Sequence, residues 1–120
     1  MMNVFELTRA LVDIESISCN EERIGHYLCD TLAPLVECHH GRLERMEVEA
    51  QPRRFNVLAW WGEAPVVTLS THMDTVPPFY PSREDDTHIW GRAAADTKGI
   101  IASMIRAAEA LLESGTRNFG

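Results

Sequence analysis

Residues 66–78, VVTLSTHMDTVPP, decide how the rest of this chain is interpreted. The first four are β-branched or apolar, which is typical of a strand in the middle of a helix-covered sheet. His72 and Asp74 follow two residues apart, so an extended backbone would direct both side chains to one side. A neutral imidazole binds zinc well when a carboxylate or carbonyl behind it fixes its tautomer, and Asp74 is the candidate for that partner.

A second polar motif, WGRAAADTKG, occupies residues 90–99 and leads directly into an apolar stripe at helical spacing. Asp96 lies three residues before Gly99, where a carboxylate is favoured by the helix dipole and by free backbone N–H groups. Taken alone, this motif also fits a simpler interpretation, in which Asp96 is an N-cap and Gly91 and Gly99 are turn glycines.

Three helices are predicted from apolar residues at helical spacing. The first covers residues 4–14, and the third runs from Ile100 to Glu113, with Gly115 placed to end it. Residues 18–21, SCNE, have the form of a capping box that opens the second helix, which is expected to end near Pro34.

Four extended segments are predicted between the second and third helices, at residues 43–48, 55–61, 66–69 and 87–90. The first alternates apolar and charged residues, as a half-buried strand does, and the last carries the weakest strand pattern. Helices and strands in this order predict an α/β layered domain. Residues 116–120 lead away from the third helix without a further strand, so the sheet is expected to be incomplete.

The composition argues against two classes of partner. Eighteen acidic residues against eleven basic ones give a net charge of −7, and the chain has a single lysine, so neither nucleic acid nor a membrane surface is an expected partner. The first residues carry charges where a signal peptide needs an apolar core. Cys19, Cys29 and Cys38 are odd in number and show no paired spacing, so reduced thiols in the cytoplasm are expected.

Together the two polar motifs resemble the paired signature of the M20 family of metallopeptidases and deacylases, S-x-H-x-D-x-V-P followed by G-R-G-x-x-D-x-K-G. The family includes acetylornithine deacetylase, succinyl-diaminopimelate desuccinylase, aminoacylase and glutamate carboxypeptidase. The order of the motifs and the 24 residues from His72 to Asp96 fit, and residues 12–22 also look like this family. The resemblance implies an α/β, three-layer helix–sheet–helix catalytic domain of the zinc-peptidase type, with residues 1–120 as its N-terminal segment.

The resemblance also implies a role for each of three residues. His72 would bind one metal ion, Asp96 would bridge two, and Asp74 would be the catalytic residue that orients His72. The cofactors would be two zinc ions, with cobalt or manganese as substitutes, and they would activate a water that attacks an amide bond. The expected substrates are N-acyl amino acids, as for acetylornithine deacetylase or the desuccinylase; the alternative is a di- or tripeptidase or a carboxypeptidase of the same family.

The chain departs from the family pattern in three respects. Ala93 replaces the second glycine of the Gly-Arg-Gly run, which is expected to be tolerated only if its φ is below zero. Thr97 stands where methionine is common. The Glu-Glu pair on the following strand, the later ligands and the lid or dimerisation domain, through which a homodimer could form, lie outside these residues. We therefore expect the 120-residue chain alone to be inactive, and marginally stable or self-associating.

Other polar residues have simpler explanations. His39 and His40 are adjacent and would point to opposite faces of a strand, and His26 and His88 lack a partner spacing, so surface positions are expected. Residues 84–86, EDD, lack the ligand spacing of a calcium loop and predict a solvated acidic turn. The tryptophans at 60–61 are expected in the core, whereas residues 79–80 follow the metal-site loop and could contact substrate.

Two alternatives to the enzyme remain open at this stage. A degenerate relative could be retained as a binding or assembly module, although the presence of His72, Asp74 and Asp96 argues against it. The motifs could also be coincidental in a short α/β domain.

Overall fold

A computed structural model describes residues 2–120 of the chain; Met1 lies outside the described residues. It contains three α-helices and two small antiparallel ladders. The helices are α1, α2 and α3, at Val4–Val12, Glu22–Cys38 and Gly99–Glu113. The strands are β1, β2, β3 and β4, at Arg42–Ala50, Arg53–Trp60, Arg83–Glu84 and Ile89–Trp90. The predicted α/β class with an incomplete sheet is confirmed.

Helix α1 forms as predicted, and its start is fixed by a capping box. The Asn3 side chain accepts from the backbone N–H groups of Phe5 and Glu6, and the Glu6 carboxylate accepts from the Asn3 N–H. Leu7 and Leu11 are buried on one face of this helix. That face packs against α3.

Helix α2 differs from the prediction at both ends. Residues 18–21 form no capping box, because Glu21 is the N-cap without a side-chain capping bond and Ser18 bonds elsewhere. The helix also continues through Pro34 to Cys38. An interior proline costs about 3 kcal/mol. Burial of Leu35, which is 4% exposed just beyond the proline, offsets part of that cost.

The hairpin of β1 and β2 confirms two predicted strands but corrects their burial. Leu43 pairs with Ala59 and Glu44 with Leu58. In β1 only Leu43 is partly buried, so the expected half-buried strand is largely solvated. In β2 the Phe55 side chain is buried, and α2 packs on this hairpin. Trp61, which follows β2, donates its indole N–H to the Leu35 carbonyl at 3.4 Å.

The predicted central strand at residues 66–69 is wrong as a buried element. Val66 is 83% exposed and Val67 58% exposed, and this segment forms single bridges only. Its neighbour is Phe119, which forms a parallel bridge with Val67 and an antiparallel bridge with Trp61. Phe119 is itself 5% exposed. Residues 116–120 therefore return to the core and pair with residues 61 and 67, where the sequence predicted a connection without a further strand.

A cleft of about 510 Å³ lies between β2 and residues 68–74. Its walls are apolar side chains of α2, β2 and α3, and its polar end carries His72 and Asp74. One core of buried side chains joins the helices below it: Leu7, Leu11, Ile24, Leu28, Leu35, Trp61, Ile101, Ala102, Ile105, Ala108, Leu112 and Phe119. The cleft thus runs from the core to the polar motifs.

The remaining elements match the prediction more closely. The weak strand expected at 87–90 is shortened to β4, which pairs with β3 over two residues. Gly115 has φ +86° and directs the backbone out of α3, as expected of a C-terminal glycine. Among residues 2–120 no helix combines the length and the apolar character that crossing a bilayer requires.

Candidate metal site

The loop that follows residues 66–69 is anchored to the connection between α1 and α2. Ile17 and Thr75 form a parallel bridge, in which Ser18 N donates to Thr75 O at 3.1 Å and Thr75 N donates to Ser16 O at 2.9 Å. The Ser16 side chain is fully buried and donates to Met73 O at 2.8 Å. These bonds fix the backbone on either side of Asp74.

Asp74 lies beside the imidazole of His72, as the two-residue spacing predicts. The His72 Nδ1 atom is 3.0 Å from the Asp74 carbonyl oxygen and 3.2 Å from Asp74 Oδ1. Both neighbours are acceptors, so Nδ1 is placed to donate a proton to them. In the neutral imidazole with the proton on Nδ1, Nε2, which faces the Asp96 carboxylate at 3.2 Å, would be the nitrogen that binds a metal.

The second motif forms an irregular turn at Ala94–Lys98 that ends at the start of α3. The peptide bond between Asp96 and Thr97 is cis. Asp96 makes no capping bond to α3, so the N-cap interpretation is not what the structure has. Gly99 is required for space, because a Cβ there would lie 2.6 Å from the Ala94 carbonyl oxygen.

Ala93 has a positive φ, although a negative one was expected from the sequence. Its φ is +65°, in the left-handed region, whereas the expectation was a φ below zero. A residue with a Cβ pays roughly 1–2 kcal/mol there. The turn needs this conformation because Lys98 N donates to Ala93 O at 2.9 Å and closes the loop. Ala93 therefore adopts a left-handed conformation that favours glycine, the residue that the family pattern has at this position.

Two buried side chains attach this turn to the rest of the site. Thr97 is 6% exposed, and its hydroxyl donates to the His72 carbonyl at 2.5 Å. Lys98 is 2% exposed, and its ammonium donates to the Ile14 carbonyl at 2.6 Å. Burial lowers the pKa of Lys98 to about 8, against an opposing effect of the Asp13 charge.

His72 and Asp96, which are 24 residues apart, meet in the folded chain. His72 Nε2 lies 3.2 Å from Asp96 Oδ1. Two donors that are each about 2.1 Å from a tetrahedral zinc lie roughly 3.4 Å apart, so this pair fits neighbouring ligands of one ion. The Asp96 side chain is 83% exposed and that of His72 52% exposed, which leaves both open to an ion from solvent.

The charges at the site are set by its hydrogen bonds. Burial alone would lower the pKa of His72, but the bond to the Asp74 carbonyl and the carboxylates of Asp96 and Asp74 outweigh it, and the pKa is raised. The pKa of Asp74 is lowered, first by the hydrogen bond from Ser18. Asp74 is therefore an ionised acceptor under ordinary conditions.

Three donors are needed for a catalytic zinc site, with a fourth position left open. Within residues 2–120 no group of three or more His, Cys, Asp or Glu side chains is arranged to hold an ion. Of the three predicted site residues, His72 and Asp96 direct donors to a common point, and Asp74 lies behind His72. The described part of the chain thus brings together two candidate metal donors, with one carboxylate behind the imidazole.

The other polar residues considered from sequence lie apart from this site. His26 contacts the Phe55 ring and Glu22, and His88 stacks on Trp90. Asp85 accepts from the backbone of the turn it belongs to, as predicted for a solvated acidic turn. Trp61 is buried as expected, with a side chain 2% exposed.

Ser18 and Thr97 are the residues that sequence reasoning missed. Ser18 was assigned to a capping box, yet its hydroxyl donates to Asp74 Oδ2 at 2.5 Å. Thr97 was treated only as a replacement for methionine, yet it supplies a hydrogen bond that methionine cannot. Thr97 lies within the second motif, whereas Ser18 lies 56 residues before its partner Asp74, so no local signal linked it to the site.

Comparison with known proteins places this geometry in a family. Residues 68–120 match peptidase family M20/M25/M40. A probable carboxypeptidase of Emericella nidulans is 39% identical over 118 residues, which cover 90% of this chain and 27% of that protein. A probable carboxypeptidase of Arthroderma otae is 34% identical, over 92% of this chain and 28% of its own length.

Two solved structures share the fold. A tripeptidase from Staphylococcus aureus matches with a TM-score of 0.72 at 25% identity, over 96% of this chain and 33% of that one. Human carnosine dipeptidase 1 matches with a TM-score of 0.71 at 19% identity, over 97% of this chain and 30% of its own, and shows the fold alone. The chain thus spans about a third or less of the proteins it matches. In its motifs, its fold and these matches, the chain is similar to part of the peptidases of the M20 family.

Proposed function

We propose that this chain is the N-terminal, metal-binding segment of a metal-dependent hydrolase that cleaves amide bonds in short peptides. The observation that carries the proposal is the approach of His72 Nε2 to Asp96 Oδ1 at 3.2 Å, with both side chains open to solvent. An imidazole nitrogen and a carboxylate oxygen from different motifs meet there, with a second carboxylate behind the imidazole.

The roles of these residues are those that the resemblance to the M20 family implies. His72 would hold one zinc ion through Nε2, and Asp96 would share its two carboxylate oxygens between two ions. When bound, the zinc ions supply Lewis acidity, which polarises an amide carbonyl and lowers the pKa of bound water. Cobalt or manganese could take the same nitrogen and oxygen donors.

The chain's own residues prepare the donors. The Asp74 carbonyl oxygen and carboxylate accept a hydrogen bond from His72 Nδ1–H, which would leave Nε2 as the nitrogen that faces a metal. Thr97 holds the His72 carbonyl, which fixes the distance between the two motifs. The apolar cleft that ends at His72 and Asp74 provides a low-dielectric wall beside the donors.

The substrate class is supported by the names of the relatives. Those with more than 30% identity are named as probable carboxypeptidases, and the solved relative at 25% identity is a tripeptidase. These names favour a peptide over an N-acyl amino acid, the substrate of an acetylornithine deacetylase or desuccinylase. Deacylation remains the second candidate because both reactions hydrolyse an amide through the same two donors.

Three further proposals concern the whole protein. Free Cys19, Cys29 and Cys38 support a location in the reducing cytoplasm. A homodimer would form through a lid or dimerisation domain beyond these residues. Residues 2–120 bring only two metal donors together, so we expect no hydrolysis by the 120-residue chain alone, and zinc-dependent cleavage of a tripeptide by it would contradict this.

The test of the proposal is zinc binding by the 120-residue chain, measured by isothermal titration calorimetry after removal of metal with a chelator. We expect His72→Gln and Asp96→Asn each to abolish the binding. The matched control is the pair His88→Gln and Asp85→Asn, since these residues form another His–Asp contact, at 3.9 Å, away from the site. Equal zinc binding by all of the variants would refute the proposed site and favour a relative without catalytic function.

A further inference from the structure

Ser18 contacts one oxygen of the Asp74 carboxylate, and His72 lies against the other. Its hydroxyl donates to Asp74 Oδ2 at 2.5 Å, while Asp74 Oδ1 lies 3.2 Å from His72 Nδ1. Each carboxylate oxygen therefore has its own donor. A carboxylate held at both oxygens has one rotational position, whereas one held by the imidazole alone could turn about its last bond.

The Ser18 hydroxyl is itself held in place by the backbone. Ser18 N donates to Thr75 O, within the parallel bridge that joins Ile17 to Thr75. On one side, buried Ser16 bonds to Met73 O. On the other, Cys19 turns the chain with φ +77°, and its N–H is bonded to a Glu21 carboxylate oxygen at 2.8 Å. The backbone that carries the Ser18 hydroxyl is therefore held in place by hydrogen bonds on both sides.

We propose that Ser18 is a positioning residue of the metal site, which holds Asp74 against His72 so that the imidazole keeps its Nδ1–H tautomer with Nε2 directed toward Asp96. The inference rests on the proposed function, because the tautomer matters through the metal that Nε2 would bind. Ser18 acts on the candidate donors only through Asp74, because its hydroxyl bonds to Asp74 Oδ2 and to the Thr75 carbonyl.

A purely structural role is the competing explanation, and the chain offers a matched comparison. Ser82 also donates its hydroxyl to an aspartate, Asp13 Oδ2, at 2.9 Å, and its N–H donates to the other oxygen of that carboxylate. That pair ties a surface loop to the end of α1, and its bonds involve neither His72 nor Asp74. Its loss tests the general effect of removing a serine–carboxylate bond.

The experiment uses the whole 120-residue chain in three variants, Ser18→Ala, Ser18→Thr and Ser82→Ala. The first measurement is long-range ¹H–¹⁵N NMR correlation of the His72 ring in metal-free protein, at a pH where the imidazole is neutral, because the two ring nitrogens then report the tautomer directly. The second is the dissociation constant for Zn²⁺ by calorimetry. Circular dichroism checks that each variant remains folded.

We expect Ser18→Ala to shift His72 toward a mixture of tautomers and to raise the zinc dissociation constant about tenfold, as is typical when a group behind a metal ligand is lost. Ser18→Thr keeps the hydroxyl and should restore both readouts, and Ser82→Ala should change neither. An unchanged tautomer in a folded Ser18→Ala variant would overturn the inference. If the tautomer shifts but the wild-type chain binds no zinc, the positioning role stands and the proposed function fails.

Discussion

The candidate site and the exposed segment at residues 66–69, which we call the sheet edge, are held by different kinds of interaction, although they adjoin each other in the chain. At the site, side chains of Ser16, Ser18, Thr97 and Lys98 bond to backbone or carboxylate oxygens of other segments. In residues 66–69, the side chains of Val66, Val67 and Leu69 are exposed, and the segment is held by backbone hydrogen bonds to residues 118–120. The comparison shows that side-chain hydrogen bonds can fix the positions of the candidate donors even where the adjoining segment is exposed.

Lys98→Met removes the hydrogen bond from the buried Lys98 ammonium to the Ile14 carbonyl, and it should have the largest effect on stability. The pKa of Lys98 is about 8 when folded, below its ordinary value of 10.5, so the unfolded chain binds more protons between these two pH values. Wild-type stability should therefore rise as pH increases from about 8 to 10.5, by up to roughly 3 kcal/mol, and below pH 8 this gain is absent. Methionine cannot titrate, so the variant lacks the rise.

The measurement for Lys98 is urea unfolding of both proteins at several pH values, with a chelator present so that no metal contributes. Cysteine and tyrosine titrations are common to both proteins and cancel in the difference. Parallel plots of unfolding free energy against pH would show that the buried ammonium is not the group that titrates.

Thr97→Val removes the tether between the two motifs and keeps the shape of the side chain. It leaves the His72 carbonyl without its hydroxyl donor, so we expect a loss of about 1–2 kcal/mol of unfolding free energy. Zinc affinity should fall as well, because the distance from His72 to Asp96 is no longer held. Urea unfolding and calorimetry measure the two effects, and Thr87→Val, in the exposed acidic turn, is the control. Full zinc affinity in Thr97→Val would mean that the tether does not set the donor distance.

Val66→Lys changes the sheet edge and should have the smallest effect on stability, within about 0.5 kcal/mol, because the side chain is 83% exposed. It should nevertheless reduce self-association, since a charge on an exposed edge opposes pairing with a second chain. Sedimentation velocity at several concentrations measures this. Phe5→Lys, at another exposed apolar position, is the control, and an equal reduction by both variants would indicate a general charge effect.

Sequence periodicity was sufficient for the parts of the fold that depend on neighbours in the chain. Helix α1, helix α3 and the hairpin β1–β2 follow from local patterns of apolar residues. The same reasoning ended α2 at Pro34, because the burial of Leu35 that offsets an interior proline is a tertiary effect. The same reasoning wrongly predicted a buried strand at residues 66–69, because an apolar run predicts burial without showing which element would cover it.

For the site, the motifs predicted which residues meet but not what holds them. The spacing of His72 and Asp74 was enough to place one beside the other. The bonds from Ser18 to Asp74 and from Thr97 to His72 cross 56 and 25 residues, and no local pattern encodes them. Ala93 shows the converse case, in which the loop imposes a positive φ on a residue whose identity suggested a negative one.

The tethers of the site also determine when it can form during folding. The bonds from Ser18 to Asp74, Ser16 to Met73 and Lys98 to Ile14 join residues 56, 57 and 84 positions apart. Closing such long loops costs chain entropy that local contacts do not recover, so these bonds are expected after the transition state, with low φ-values. The donor geometry then belongs to the native state alone, and zinc binding would chiefly slow unfolding rather than speed folding.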